Sequence, residues 1–142
     1  MKILWVEDEH RKLSGLFRPL QRDGAEIVAV ECARAGVEAF KNCGPFDLCV
    51  VDLIMPHDVE QERIIAKGTE TDFDDFEGLY VVREIRAMDA KVPIVVLTVV
   101  YDDQVRSLIR AMNAEVIQKG AVLPGELCAK LKSILGTQRP MS

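Results

Sequence analysis

Long hydrophobic runs are missing from this sequence. The longest, residues 92–101, is interrupted by Pro93 and Thr98, whereas a helix needs about 18 consecutive apolar residues to cross a bilayer. No membrane association is expected. No secretory leader is expected either, because Glu7, Asp8 and Glu9 break the N-terminal apolar stretch where one would continue. Basic residues are in the minority, 18 against 23 acidic, for a net charge of −5. No broad basic face for nucleic acid is therefore expected, although a local patch stays open. Cysteine and histidine are sparse, with four and two residues and no C-x-x-C pair. That spacing cannot build a zinc site, and the thiols read as reduced residues of a cytoplasmic protein. Neither G-x-x-x-x-G-K-[ST] nor G-x-G-x-x-G occurs, so nucleotide binding has no motif behind it. What remains is a chain of 142 residues, 49% hydrophobic and 29% charged. That length and composition predict one globular domain, 1–142, with a substantial core.

Short apolar runs at 2–6, 26–30, 47–51, 93–97 and 115–118 read as strands. Between them, and after the last, the apolar residues recur at helical spacing over 10–22, 35–42, 79–88, 103–112 and 123–135. Gly24, Gly44-Pro45 and Gly136 read as helix stops. Pro19 is a blemish in the first helix, and Trp5 reads as core. Strand and helix alternating five times predict an α/β fold with a parallel sheet covered on both faces. One segment interrupts the rhythm. Residues 57–77 hold eight acidic and two basic residues, a local charge of −6 that accounts for the whole acidic excess. Asp58 as an N-cap, Gln61 three residues on and Gly68 as a stop predict a short helix over 59–67. The segment reads either as a solvated loop, a lid or a docking surface for a basic partner.

In parallel sheets, ligands gather at the carboxyl ends of the strands. Here those ends carry Glu7 and Asp8 after the first strand, Asp52 after the third, Thr98 after the fourth and Lys119 after the fifth. Each alone is ordinary turn chemistry, and together they define a chemistry. Carboxylates are hard oxygen donors suited to a Mg²⁺ ion that keeps several waters. Lysine and threonine supply a cation and a hydroxyl to phosphate oxygens. A carboxylate placed among them can act as nucleophile toward a phosphoryl group.

The stretches ILWVEDE, DLCVVDLIMP, IVVLT and VIQKG resemble the receiver domain of two-component response regulators, over nearly the whole chain. The resemblance implies a doubly wound five-stranded sheet of order 2-1-3-4-5, as in flavodoxin-like and CheY-like folds. It implies Asp52 as phosphoacceptor, with a histidine kinase or phosphotransfer protein as donor. Mg²⁺ would be held by Asp8, Asp52 and the backbone carbonyl of Ile54, with Glu7 holding a metal-bound water. Thr98 and Lys119 would contact the phosphoryl oxygens, and Pro56 matches the family's proline. A downstream protein would read the phosphorylated state, and homodimerisation is compatible with it. The chain is expected to act as a switch rather than as an enzyme on a separate substrate. Three departures stand out: Val116 where the family has an aromatic, Gly120 where it has proline, and the 57–77 insertion. They favour an alternative, a receiver-like interaction module that works without phosphorylation. A phosphohydrolase is disfavoured because Ile54 and Val100 offer no group to orient a water.

Overall fold

The computed structural model describes residues 1–7, 14–53, 77–98, 103–118 and 124–138. Five strands, β1 (Lys2–Val6), β2 (Glu26–Val30), β3 (Leu48–Asp52), β4 (Ile94–Thr98) and β5 (Glu115–Gln118), alternate with five helices. The helices are α1 (Ser14–Arg22), α2 (Ala33–Cys43), α3 (Glu77–Met88), α4 (Asp103–Ala111) and α5 (Pro124–Gln138). All neighbouring strands pair in parallel, in the order β2-β1-β3-β4-β5. The expected doubly wound α/β architecture is thus observed.

The strand sequences explain the layering. Every residue of β3 and β4 is buried, as a strand covered on both faces requires. Alternate side chains feed two cores. Leu4, Val6, Cys49, Val51, Ile94 and Val96 pack with residues of α2, α3 and α4 on one face. Ile3, Trp5, Leu48, Val50, Val95 and Leu97 pack with α1 and α5 on the other. Trp5 is fully buried, meets the edge of Phe17 at 5.0 Å between ring centroids, and among the described residues its Nε1 hydrogen finds no acceptor.

Several boundaries differ from the sequence reading. Asp52 and Thr98 end their strands rather than follow them, because the ladder continues through both residues. Helix α5 runs through Gly136 to Gln138. A helical glycine costs only about 1 kcal/mol relative to alanine, too little by itself to stop a helix. Gly24 does end α1, at φ +93°, the left-handed conformation glycine adopts without steric cost. Asn113 plays the same part after α4 at φ 63°, with the Ala114 N–H donating back to the Ile109 carbonyl. The expected helix over 59–67 lies outside the described residues.

Cys49 and Cys128 are buried and Cys43 is exposed, and all are free thiols. Burial pushes the Cys49 thiol from 9.0 up to about 12, against the opposing pull of Arg86. Its contribution to stability is therefore complete below the unfolded pKa of 9.0 and is lost as pH rises from there toward 12. We expect urea midpoints to fall above pH 9, with this thiol adding a slope of at most about 1.4 kcal/mol per pH unit. Cys49→Ala should remove that part of the slope. An identical alkaline profile in the variant would show that the buried thiol is not responsible.

Candidate functional site

The carboxyl edge of the sheet carries the candidate site, and the register shows how the chain assembles it. In β1 and β3, Val6 lies beside Val51. Both point into the same core, so the next residues, Glu7 and Asp52, share the opposite parity and lie one strand spacing apart, about 4.8 Å between backbones. The Glu7 N–H donates to the Val30 carbonyl at 3.0 Å, which carries the β1 and β2 pairing one residue beyond the strand. On the other side of β3, Asp52 is in register with Leu97 and Thr98 with Gln118. The Leu53 N–H donates to the Leu97 carbonyl at 3.0 Å. Three of the sequence-derived site residues are thereby fixed by backbone pairing on adjacent strands.

All three are nearly inaccessible: Glu7 is 2% exposed, Asp52 6% and Thr98 2%. Carboxylates are almost never buried without a compensating partner or function. Both Glu7 and Asp52 also take part in polar or electrostatic interactions. Asp8, Ile54 and Lys119 lie outside the described residues. Each directly follows a described residue at this edge: Glu7, Leu53 and Gln118. Among the described residues, no three histidine, cysteine, aspartate or glutamate side chains come together as a metal site. Two buried carboxylates on neighbouring strands repel each other, and a divalent cation relieves that repulsion. As neighbouring oxygen donors, Glu7 and Asp52 therefore fit a hard cation.

The sequence reading missed a fourth buried polar residue. Glu77, assigned to the acidic segment, is the first residue of α3 and 0% exposed. An acid at a helix N-terminus beside a glycine was the available signal, since negative charge is favoured in the first turn. Gly78 shows why the helix begins here. Its N–H donates to the Leu53 carbonyl at 2.9 Å. A Cβ on it would lie 2.4 Å from the Asp52 carbonyl oxygen and 2.6 Å from the Leu53 Cα. The N-terminus of α3 is thus seated directly on the backbone of Asp52 and Leu53.

No protein-family model and no curated protein matches the sequence. Solved structures do match. A CheY-like response regulator receiver domain from Methanospirillum hungatei JF-1 superposes with a TM-score of 0.75 at 21% identity, covering 96% of this chain and 94% of that one. A two-component response regulator from Clostridium difficile gives a TM-score of 0.75 at 19% identity, with 99% of each chain covered. The BeF3-activated N-terminal receiver domain of RstA from Klebsiella pneumoniae gives 0.71 at 24% identity, covering 95% of this chain and 98% of that one. Strand order, helix placement and coverage agree: the chain has the CheY-like fold of response regulator receiver domains.

Proposed function

We propose that this protein is a phosphorylation switch in a two-component signalling pathway, with Asp52 as the phosphoacceptor. The observation that carries the reading is the placement of Asp52. It is a buried carboxylate ending β3, with buried Glu7 directly after neighbouring β1 and Thr98 at the end of β4. An Asp52 carboxylate oxygen attacks the phosphorus of a phosphohistidine or small acyl phosphate. A P–O bond forms to Asp52, the bond to the donor breaks, and the donor leaves with its electron pair. The Thr98 hydroxyl donates to one phosphoryl oxygen, and the Lys119 ammonium pairs with another. Glu7, Asp8, Asp52 and the Ile54 carbonyl are the groups that would hold Mg²⁺. That ion would neutralise charge on the transferred group.

The test is intact mass after incubation with acetyl phosphate and Mg²⁺. One phosphoryl group, stable to acid, labile to base and absent when EDTA is present, is the expected result. No labelling of the wild type would overturn the reading in favour of a phosphorylation-independent module. That second reading has its own support in Val116. This β5 side chain is partly buried against the α2, α3 and α4 core, and valine has no ring to swing between buried and exposed positions. We further propose that the chain catalyses nothing beyond its own labelling and slow label loss.

The metal part of the proposal has a separate check. Trp5 lies in β1 and three residues before Asp8. Mg²⁺ should change its fluorescence weakly but saturably, since a mostly hydrated ion gains little from a few carboxylates. Asp8→Ala should abolish the titration. Wild-type affinity in that variant would remove Asp8 from the ligand set.

A further inference from the structure

The opposite edge of the sheet carries a cavity that the proposed switch does not use. It lies at the amino ends of β4 and β5 and has a volume of about 380 Å³, within the range of small-molecule sites. Pro93 of the α3–β4 turn and Ile134 of α5, both partly buried, give it apolar surface. Three cations from three segments line it: Arg86 of α3, Lys91 of the α3–β4 turn and Arg110 of α4. Glu115 is the one acid among the lining residues. This is a locally cationic hollow on a chain of net charge −5.

The three cations are held differently. The Arg86 guanidinium is fixed by three backbone carbonyls: Nε donates to Met112 at 2.8 Å, Nη2 to Asn113 at 2.9 Å and Nη1 to Asp89 at 3.2 Å. Those bonds tie the end of α3 to the end of α4 and use three of its five N–H groups. Burial lowers the Arg86 pKa from its usual value, with Asp89 opposing, so a further anionic partner would be favourable. The Asp89 carboxylate is itself taken by the N–H groups of Lys91 and Val92, at 2.8 and 3.2 Å. Lys91 and Arg110 are exposed. Neither forms an ion pair among the described residues, even with Glu115 on the same cavity. Three cations less one acid leave the lining with a charge of +2, which matches a dianion better than a monocarboxylate.

We propose that this cavity binds a small phosphomonoester. Lys91 and Arg110 close on its dianionic head beside the fixed Arg86, and a short apolar body rests on Pro93 and Ile134. Arginine suits the head because its planar fork donates to two phosphate oxygens at once.

Phenylphosphonate is the probe, because its P–C bond cannot donate a phosphoryl group to any carboxylate. Titrated without Mg²⁺ and followed by ¹⁵N-resolved NMR, it should give saturable shifts at the amides of Lys91, Asn113, Ala114 and Glu115. Lys91→Gln combined with Arg110→Gln should raise the Kd about tenfold or more, and Glu115→Gln should lower it about two- to fivefold. These positions are exposed, so unchanged spectra elsewhere will show that the variants fold. Inorganic phosphate should bind several-fold more weakly, since it lacks the apolar body. The proposal fails if no saturable shift appears by about 10 mM, a ceiling corresponding to less than about 3 kcal/mol of binding. It also fails if shifts centre on Asp52 and Thr98, or if the double variant binds as the wild type does. Equal affinity for inorganic phosphate would reduce the cavity to an adventitious ion site only.

Discussion

Asp52→Asn is expected to keep its unlabelled mass under conditions in which the wild type gains one phosphoryl group. The substitution changes the chemistry and almost nothing else. Asparagine has the shape of aspartate, and the site is 6% exposed and pinned by the β3–β4 ladder. A neutral amide oxygen is a far poorer nucleophile than a carboxylate, and it cannot be activated by a neighbouring cation to the same degree. Loss of labelling should therefore be complete rather than partial. The unfolding midpoint should stay equal or rise, because one of two neighbouring buried carboxylates, Glu7 and Asp52, is neutralised. Equal labelling of the variant would move the acceptor to another residue. A collapse in stability would instead give Asp52 a structural role.

Gly78→Ala should be the most damaging single methyl addition in the protein. Its Cβ would lie 2.4 Å from the Asp52 carbonyl oxygen, 2.6 Å from the Leu53 Cα and 3.0 Å from the Asp52 carbonyl carbon. Every one of these atoms is backbone, so no rotamer change relieves the overlap. Either α3 lifts from the sheet or the end of β3 moves. Overpacking usually costs about 1–3 kcal/mol, and this geometry belongs at or above the upper end. A cost of that size is a large share of the 5–15 kcal/mol typical of domain stability. Labelling at Asp52 should slow as well, because the displaced backbone is the one that positions its carboxylate. Gly36→Ala is the graded comparison. There the three nearest atoms to the added carbon all belong to the Val6 side chain, its methyls at 2.8 and 3.0 Å, so the cost should be smaller. Gly125→Ala meets nothing within 4 Å in helix α5. It should be neutral or stabilising by up to about 1 kcal/mol. Urea midpoints of the three variants test the ranking. Gly78→Ala at wild-type stability would refute the seating of α3 on β3.

Much of this was readable in the residues, for physical reasons. Strands β2 and β5 coincide with their expected runs, and a charged residue, Glu31 or Lys119, directly follows each at its carboxyl end. Strands β3 and β4 were read one residue early at each end. Asp52 and Thr98 are polar, and a hydropathy pattern ends where backbone pairing still continues. Glu77 was hidden by its acidic neighbours, since composition cannot separate a buried first-turn carboxylate from a solvated run. The convergence of Arg86, Lys91 and Arg110 on one cavity was not legible at all. It arises from the right-handed crossovers that bring the ends of α3 and α4 to the same sheet edge.

The hydrogen bond from the Gly78 N–H to the Leu53 carbonyl has an evolutionary reading. It clamps together Leu53 and Gly78, which flank residues 54–76 in the sequence. A loop whose ends are already held can change length cheaply: doubling it adds only about 0.6 kcal/mol of closure entropy. The clamp turns this junction into a cassette socket. Lineages could lengthen, shorten or recharge the inserted cassette to retune partner choice while the sheet and α3 beneath it kept their register. An engineer could use the same socket to graft a binding loop beside Asp52.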